Sequence, residues 1–278
     1  MADLRPELKE KTARILSEMT EMERIVVGLS GGVDSSTVAA LAHRALGADA
    51  LAATAVSETL PEREFWEARE VADEIGIRHR LLEFSELADD QFRSNTASRC
   101  YFCQSMRFGR LHEIAEHLGF DVVASGTNHS DRGDHRPGLE AMREQGVYQP
   151  LLEHEIEKDD VRRIARGLGL SVWDKPAKAC LSSRIPHGLE VTQERLRRIE
   201  AAEEVLYEKG FRQFRVRDHD GLARIEVEPA EMSRLLETDL LAALADGVRE
   251  AGFREVTVDL GGYRSGSLNP TSPSDAHE

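Results

Sequence analysis

Lysine is scarce in this 278-residue chain: it stands only at positions 9, 11, 158, 175, 178 and 209, so arginine supplies the remaining 30 of 36 basic residues. Asp and Glu number 51, and the formal charge is −15. Nucleic acid is held through its phosphates by a concentrated basic patch. This balance supplies no general one, so no nucleic-acid partner is expected. A carboxylate-rich, lysine-poor surface suits a high-salt cytoplasm, where self-repulsion is screened. Long apolar runs are also missing, and none approaches the roughly 20 residues of a membrane span. The first residues, Met1 to Glu23, are charged and helix-like, without the apolar core and small-residue cleavage site of a signal peptide. A cytoplasmic location is the expectation, with no membrane partner. Cysteine occurs three times, at 100, 103 and 180, an odd and sparse count that argues against a secreted disulfide framework.

What the chain does contain is an alternation of short apolar runs and amphipathic segments. After the N-terminal helix, Arg24–Leu29 reads as a strand, Asp34–Leu46 as a helix, Ala50–Val56 as a strand and Pro61–Ile75 as a helix. Arg78–Phe84 reads as a strand, Tyr101–Leu118 as a helix and Asp121–Ser125 as a strand; Thr127–Tyr148 is polar and reads as a loop before a helix at Lys158–Leu168. The order implies an α/β fold, a doubly wound and mostly parallel sheet with crossover helices on both faces. Composition shifts near Ile185–Gly188, which sets domain boundaries at 1–187 and 188–266. The second part reads helix (Thr192–Lys209), strand (Phe211–Arg217), strand (Ala223–Glu228), helix (Ala230–Ala251), strand (Glu255–Leu260). This order predicts a small α+β domain, ferredoxin-like with one strand missing. Residues 267–278, rich in Ser, Pro and Asp, read as a disordered tail.

Between the first strand and second helix lies Ser30-Gly31-Gly32-Val33-Asp34-Ser35. Glycines let a backbone turn tightly and aim its amides at phosphate, and a following helix adds the positive end of its dipole. Ser30, Ser35 and Ser36 can donate to phosphate oxygens; Asp34 repels them, so it holds Mg²⁺ or braces the loop. A strand-to-helix turn capped by Ser and Asp is the plain alternative. No Gly-Lys-Ser/Thr follows, so this is not a Walker loop. It resembles the SGGxDS signature of the PP-loop family, adenine nucleotide alpha hydrolases that split ATP between the α- and β-phosphates. That resemblance implies that ATP is the cofactor and that adenine lies by the end of the second strand, Ala53–Val56, with Thr54 in contact. It also implies a second nucleotide-side loop at Gly126, Thr127 and Asn128 with Asp131.

The cysteines admit three readings by spacing: unrelated buried thiols, a zinc site lacking its fourth ligand, or an iron–sulfur cluster on three thiolates with one open iron. Their context is more specific. Ser98–Cys103, His135–Leu139, Val172–Pro176, Cys180–Pro186 and Asp259–Ser267 closely resemble the LarE family of ATP-dependent pyridinium-3,5-biscarboxylate mononucleotide sulfur transferases, which serve nickel-pincer nucleotide (lactate racemase cofactor) biosynthesis. The likeness runs from about Ile25 to Leu268. It implies that ATP and Mg²⁺ adenylate a carboxylate of the small nucleotide substrate, and that sulfur then displaces AMP. In one branch the cysteine matching Cys180 surrenders its sulfur and becomes dehydroalanine. In another, three cysteines hold a [4Fe–4S] cluster carrying extra sulfide, and with Cys100, Cys103 and Cys180 all present this sequence looks like that branch. The sulfide source is left open, and the family suggests a homo-oligomer.

In the C-terminal part, Arg215 and Arg217 alternate with apolar residues and share one face of a strand; Arg224 and Glu226 do so on the next. Such a row is ordinarily the solvated face of a sheet. The resemblance makes Arg215 and Arg217 phosphate ligands, Glu226 a metal or substrate ligand, and Arg184 a stabiliser of the acyl-adenylate's charge. A tRNA thiolase, an NAD synthetase-like amide ligase and a non-catalytic nucleotide sensor are the competing functions. The ligase leaves the cysteines unexplained, the thiolase requires a basic face, and the sensor would bind ATP without releasing AMP. The acidic composition makes a prediction of its own: the midpoint of thermal unfolding rises as KCl is raised toward molar concentration, whereas a maximum at low salt would contradict high-salt adaptation.

Overall fold

A computed structural model describes residues 4–133, 137–176 and 179–264. The predicted tail at 267–278, and His135, Arg136 and 265–267 of the quoted segments, lie outside the described residues. Two compact units emerge: Met1–Glu86 with Cys100–Lys178, and Leu87–Arg99 with Ala179–Glu278. The second thus takes in 87–99 and 179–187, which the sequence-based boundary assigns to the first.

The first unit is an α/β layer structure. Strands β1 (Ile25–Gly28), β2 (Ala50–Val56), β3 (Arg78–Glu83) and β4 (Val122–Ala124) are all parallel, in the order β3-β2-β1-β4. In register, Ile25 faces Ala50 on one side and Val122 on the other. Helices α1 (Pro6–Glu21), α2 (Val33–Leu46), α3 (Glu62–Ile75), α4 (Arg99–Leu118), α5 (Pro137–Glu144) and α6 (Lys158–Leu168) surround the sheet. Side chains alternate across β1 as a pleated strand requires. Ile25 and Val27 join Ile15, Met19, Leu41 and Ile164 in one core, whereas Val26 joins Phe108, Leu111 and Ala115 in the other. Helix α2 is buried without interruption from Ser35 to Ala42, as befits a helix enclosed by α1, α3, α6 and the sheet.

The second unit carries β5 (Phe214–His219), β6 (Leu222–Val227) and β7 (Glu255–Val258), with α7 (Gln193–Glu208) and α8 (Thr238–Glu250). Strands β5 and β6 are antiparallel, and β6 and β7 parallel. The small mixed sheet matches the predicted α-β-β-α-β order.

Two segments differ from the sequence expectation. Thr127–Tyr148 is not only loop, since α5 forms inside it once Ala141 and Met142 find burial. The single helix expected over Ala230–Ala251 is broken between Met232–Leu235 and α8. Leu235 and Leu244 are both fully buried, and nine residues along one straight helix would set them about 180° apart. The break brings both under cover.

Candidate functional site

The strand order reverses at β1, with β2 and β3 on one side and β4 on the other. At such a switch point, the loops leaving the carboxyl ends of the two neighbouring strands open a crevice. Here they are the loop after β1 and Ser125–Asn128 after β4. Gly31 takes a left-handed φ of +70°, and a Cβ there would stand 2.9 Å from the Ala68 amide nitrogen of α3. A Cβ on Gly126 would stand 2.4 Å from the amide nitrogen of Ser35. The loop is therefore clamped from both sides by backbone, and no larger residue fits at either place.

Gly32 is the N-cap of α2 and gives its first turn no side-chain cap. The amides of that turn are left to an incoming acceptor, reinforced by the helix dipole. Ser35 Oγ accepts from Ser30 N at 3.1 Å and lies 3.0 Å from Ser30 Oγ, while Ser36 Oγ donates to Gly32 O at 2.7 Å. These bonds fix the loop from within. Asp34 receives Asn128 Nδ2 at 3.3 Å and ion-pairs with Lys158. Burial raises its pKa despite the lysine. With both carboxylate oxygens engaged, Asp34 ties the loop to Asn128 and to Lys158 at the start of α6.

Ser30, Gly32, Asp34, Ser35, Thr54, Gly126 and Thr127 line one pocket of about 240 Å³. Gly31 stands between the lining residues Ser30 and Gly32 in the chain, and Asn128 adjoins the pocket through its bond to Asp34. The Thr54 hydroxyl donates to Leu29 O at 2.7 Å and lies 2.8 Å from His79 Nε2. Its single proton is engaged by the carbonyl, so His79 donates from Nε2. Burial and nearby Arg69 lower the His79 pKa, in keeping with a neutral ring. Gln104, Arg107, Phe108 and Leu111 of α4, and Met142 of α5, complete the lining. Sequence reasoning missed these, although the 3–4 spacing from 104 to 111 marks one face of a helix. The wall is mostly apolar away from the loop, which suits a flat heterocycle beside a polyphosphate.

The cysteines have different surroundings. Cys100 is exposed, and Cys103 is buried with its thiol hydrogen-bonded to Glu86. Cys180, half-buried in the second unit, lies 3.0 Å from Ser182 Oγ. No group of three His, Cys, Asp or Glu side chains among the described residues could hold a metal ion.

In the second unit the segment around Cys180 is heavily tied down. Arg184 is buried, grips Glu203 through Nε (2.9 Å) and Nη2 (2.8 Å), and donates from Nη1 to the carbonyls of Ala179 and Cys180. Arg217 grips Glu226 through Nε (3.0 Å) and Nη2 (2.7 Å) and donates to Ser183 O at 3.0 Å; Arg224 reaches the other Glu226 oxygen at 3.0 Å. The Arg215 guanidinium lies over the Tyr263 ring, and burial and Arg184 lower its pKa. Arg184, Arg215, Arg217 and Glu226 thus come together around the Cys180 segment. Arg184 is already in a two-oxygen pair with Glu203, and the two Glu226 oxygens are taken by Arg217 and Arg224, so the visible role of Arg184 and Glu226 is to hold that segment and Arg217. Asn95 went unnoticed in the sequence, and Arg99 figured there only within the Ser98–Cys103 segment. Fully buried Asn95 donates to Pro186 O (2.8 Å) and Leu189 O (2.7 Å), and Arg99 donates to Asn95 Oδ1 (2.6 Å) and Ser182 O (2.9 Å). These bonds are why 87–99 belongs with the second unit.

The chain is similar to known proteins along nearly all of its length. The family model described as NAD synthase matches residues 8–131. The chain is 42% identical over 94% of its length to an uncharacterized Synechocystis protein, slr1717, covering 98% of that protein. It is 37% identical to the pyridinium-3,5-bisthiocarboxylic acid mononucleotide synthase of Lactiplantibacillus plantarum, over 95% of each chain. The tRNA-specific 2-thiouridylase MnmA of Beijerinckia indica is 33% identical over 55% of this chain and 44% of its own.

The clamp predicts that Gly126→Ala, an overpacking worth about 1–3 kcal/mol, weakens pyrophosphate binding by about tenfold or more. Gly109→Ala, where nothing lies within 4 Å, leaves it unchanged; isothermal titration calorimetry makes the comparison. A second expectation concerns acid. Burial alone would raise the Glu203 pKa, but Arg184 outweighs it and the net direction is down. The stability this carboxylate contributes is therefore present above its ordinary value of 4.5 and lost as pH falls through the lower folded value. Glu203→Gln should remove that acid dependence and destabilise the neutral protein by about 3–5 kcal/mol, since Arg184 stays buried without its carboxylate. Urea unfolding across a pH series measures both.

Proposed function

The chain belongs to the LarE family, that of the pyridinium-3,5-bisthiocarboxylic acid mononucleotide synthase, and on that premise we propose that it is an ATP-dependent sulfur transferase acting on pyridinium-3,5-biscarboxylic acid mononucleotide. Its place would be the biosynthesis of a nickel-pincer nucleotide cofactor. The observation that carries the reading is the uncapped start of α2 behind the Ser30–Ser35 loop, in a chain whose half-buried Cys180 sits on a segment fixed by buried arginines.

ATP would lie with its phosphates on the α2 amides and the hydroxyls of Ser30 and Ser35. Its adenine would lie by Ala53–Ala55 and the apolar face of α4. Magnesium, when bound with ATP, would screen the triphosphate charge; Asp34 would act by keeping the loop in place. A substrate carboxylate oxygen attacks the α-phosphorus, the bond from that phosphorus to the bridging oxygen breaks, and pyrophosphate leaves with the electron pair. The acyl-adenylate carbon is then open to sulfur: a C–S bond forms, the C–O bond to AMP breaks, and AMP leaves. Arg215 and Arg217 are proposed to hold the substrate's phosphate, with Glu226 orienting Arg217 and Arg184 orienting the Cys180 backbone.

Cys180 is the residue at which we place sulfur delivery. If it gives its own sulfur, its thiolate attacks the acyl carbon. Loss of the Cα proton then breaks the Cβ–S bond, leaving a thiocarboxylate on the product and dehydroalanine in the chain. A [4Fe–4S] cluster on Cys100, Cys103 and Cys180 is the other source implied by the family. The described residues contain no three-ligand group that fits it, and no step is routed through it. A small nucleotide is favoured over tRNA by the net charge of −15.

The test is an anaerobic assay of AMP release and sulfur gain with the biscarboxylate nucleotide, run beside tRNA. Sulfur gain on the nucleotide alone is expected, and Cys180→Ala should abolish it while pyrophosphate release continues. Transfer to tRNA instead would refute the assignment. Iron and sulfide content, with intact mass after turnover, separates the sources: loss of one H₂S marks the sacrificial thiol.

A further inference from the structure

The pocket beside the loop must hold a polyanion in a protein of formal charge −15. Among the described residues that line it, Arg107 alone carries a positive charge, and Asp34 alone a negative one. Arg107 stands on α4, in the lining of the same pocket and outside every motif singled out in the sequence. Its guanidinium is held from behind by an unusual buried anion. Glu86 is fully buried, and its Oε1 receives Arg107 Nε at 3.2 Å. Glu86 Oε2 accepts the Ser57 hydroxyl at 2.7 Å and the Thr59 hydroxyl as well. With its own proton given to Glu86, Thr59 Oγ1 accepts Arg107 Nη2 at 2.9 Å. Cys103, one helical turn before Arg107, also bonds Glu86. Burial would raise the Glu86 pKa, yet Arg107 and these three donors hold it below the usual range, so the carboxylate stays ionised.

A buried carboxylate with this many donors is costly to desolvate and fixes the orientation of its partner. Simple stapling of the 57–59 turn to α4 would not need a guanidinium at the pocket wall; an apolar contact there would be less costly. We propose that Arg107 is a binding residue for the β- and γ-phosphates of the nucleotide, and for the pyrophosphate they become, with Glu86, Thr59 and Ser57 as positioning residues. The assignment rests on reading the pocket as an ATP site. A planar guanidinium anchored on one edge keeps its charge in place without losing the rotamer entropy of a free arginine, and it offers the leaving pyrophosphate charge stabilisation that the loop amides share.

The experiment measures binding of pyrophosphate, ATP and AMP to the full chain by calorimetry for wild type, Arg107→Gln, Arg107→Lys and Glu86→Gln. One charge-assisted contact is worth about 10- to 100-fold in affinity. Arg107→Gln is expected to weaken pyrophosphate and ATP by that factor, with AMP changed less than about twofold, a split that a merely structural residue would not produce. Arg107→Lys should recover part of the loss. Glu86→Gln should weaken pyrophosphate selectively, and combining it with Arg107→Gln should add little, because both remove one interaction. Equal losses for AMP and pyrophosphate, or unchanged pyrophosphate binding in Arg107→Gln and Arg107→Lys, would overturn the assignment while leaving the ATP site standing. A wild-type chain that binds neither ATP nor pyrophosphate would overturn the ATP reading and this one with it.

Discussion

The first unit depends on a close approach of backbone to backbone at the point where the strand order reverses. Strand β4 leaves the sheet beside β1, and Gly126 passes so near the Ser35 amide that a methyl group would collide with it. On the other side of the same loop, Gly31 packs against α3 in a left-handed conformation. A loop held this way pays its ordering entropy during folding rather than on binding. Helix α2, whose N-terminus supplies the amides, is itself enclosed on all sides, so the dipole's position is set by the core. The anion binding proposed here would be a property of the packing as much as of the motif.

A second theme is the use of arginine against buried carboxylates. Glu86, Glu203 and Glu226 are all buried, and each meets guanidinium groups from elsewhere in the chain. Such pairs add little net stability, because desolvation offsets much of the attraction. Their value is orientation. Glu203 fixes Arg184, which in turn binds the carbonyls of Ala179 and Cys180; Glu226 fixes Arg217; Glu86 fixes Arg107 at the pocket wall. The planar fork of arginine suits this work, and a lysine could not grip two carboxylate oxygens in one plane. The scarcity of lysine noted at the outset thus has an internal counterpart.

The proposed chemistry rests on two local arrangements. A polyphosphate held by the α2 amides and by Arg107, as proposed, would be primed to lose pyrophosphate, and the acyl-adenylate would be open to a soft nucleophile. The Cys180 carbonyl is held by Arg184, and the residues that follow it are held by Arg99 at Ser182 and by Asn95 at Pro186. Holding it still shortens the search for the attacking geometry.

Much of this was legible without coordinates. Strands β1, β2 and β3, helices α2, α4 and α6 and the Ser30–Ser35 loop follow from apolar periodicity and from glycine and serine between a strand and a helix, because those signals are local. The nucleotide-loop residues and the arginines around Cys180 were also named from motifs. Helix α5 inside Thr127–Tyr148, the break before α8, and the joining of 87–99 to the second unit were not legible, since each depends on burial that only the folded chain provides. Arg107, Glu86 and Asn95 escaped notice for the same reason. Nothing adjacent in sequence marks Glu86 and Arg107 as partners across 21 residues, or Asn95 and Leu189 across 94. Local sequence determines what kind of element a segment becomes. Which buried charges meet is decided by the packing of distant segments, where the low dielectric makes each pairing count.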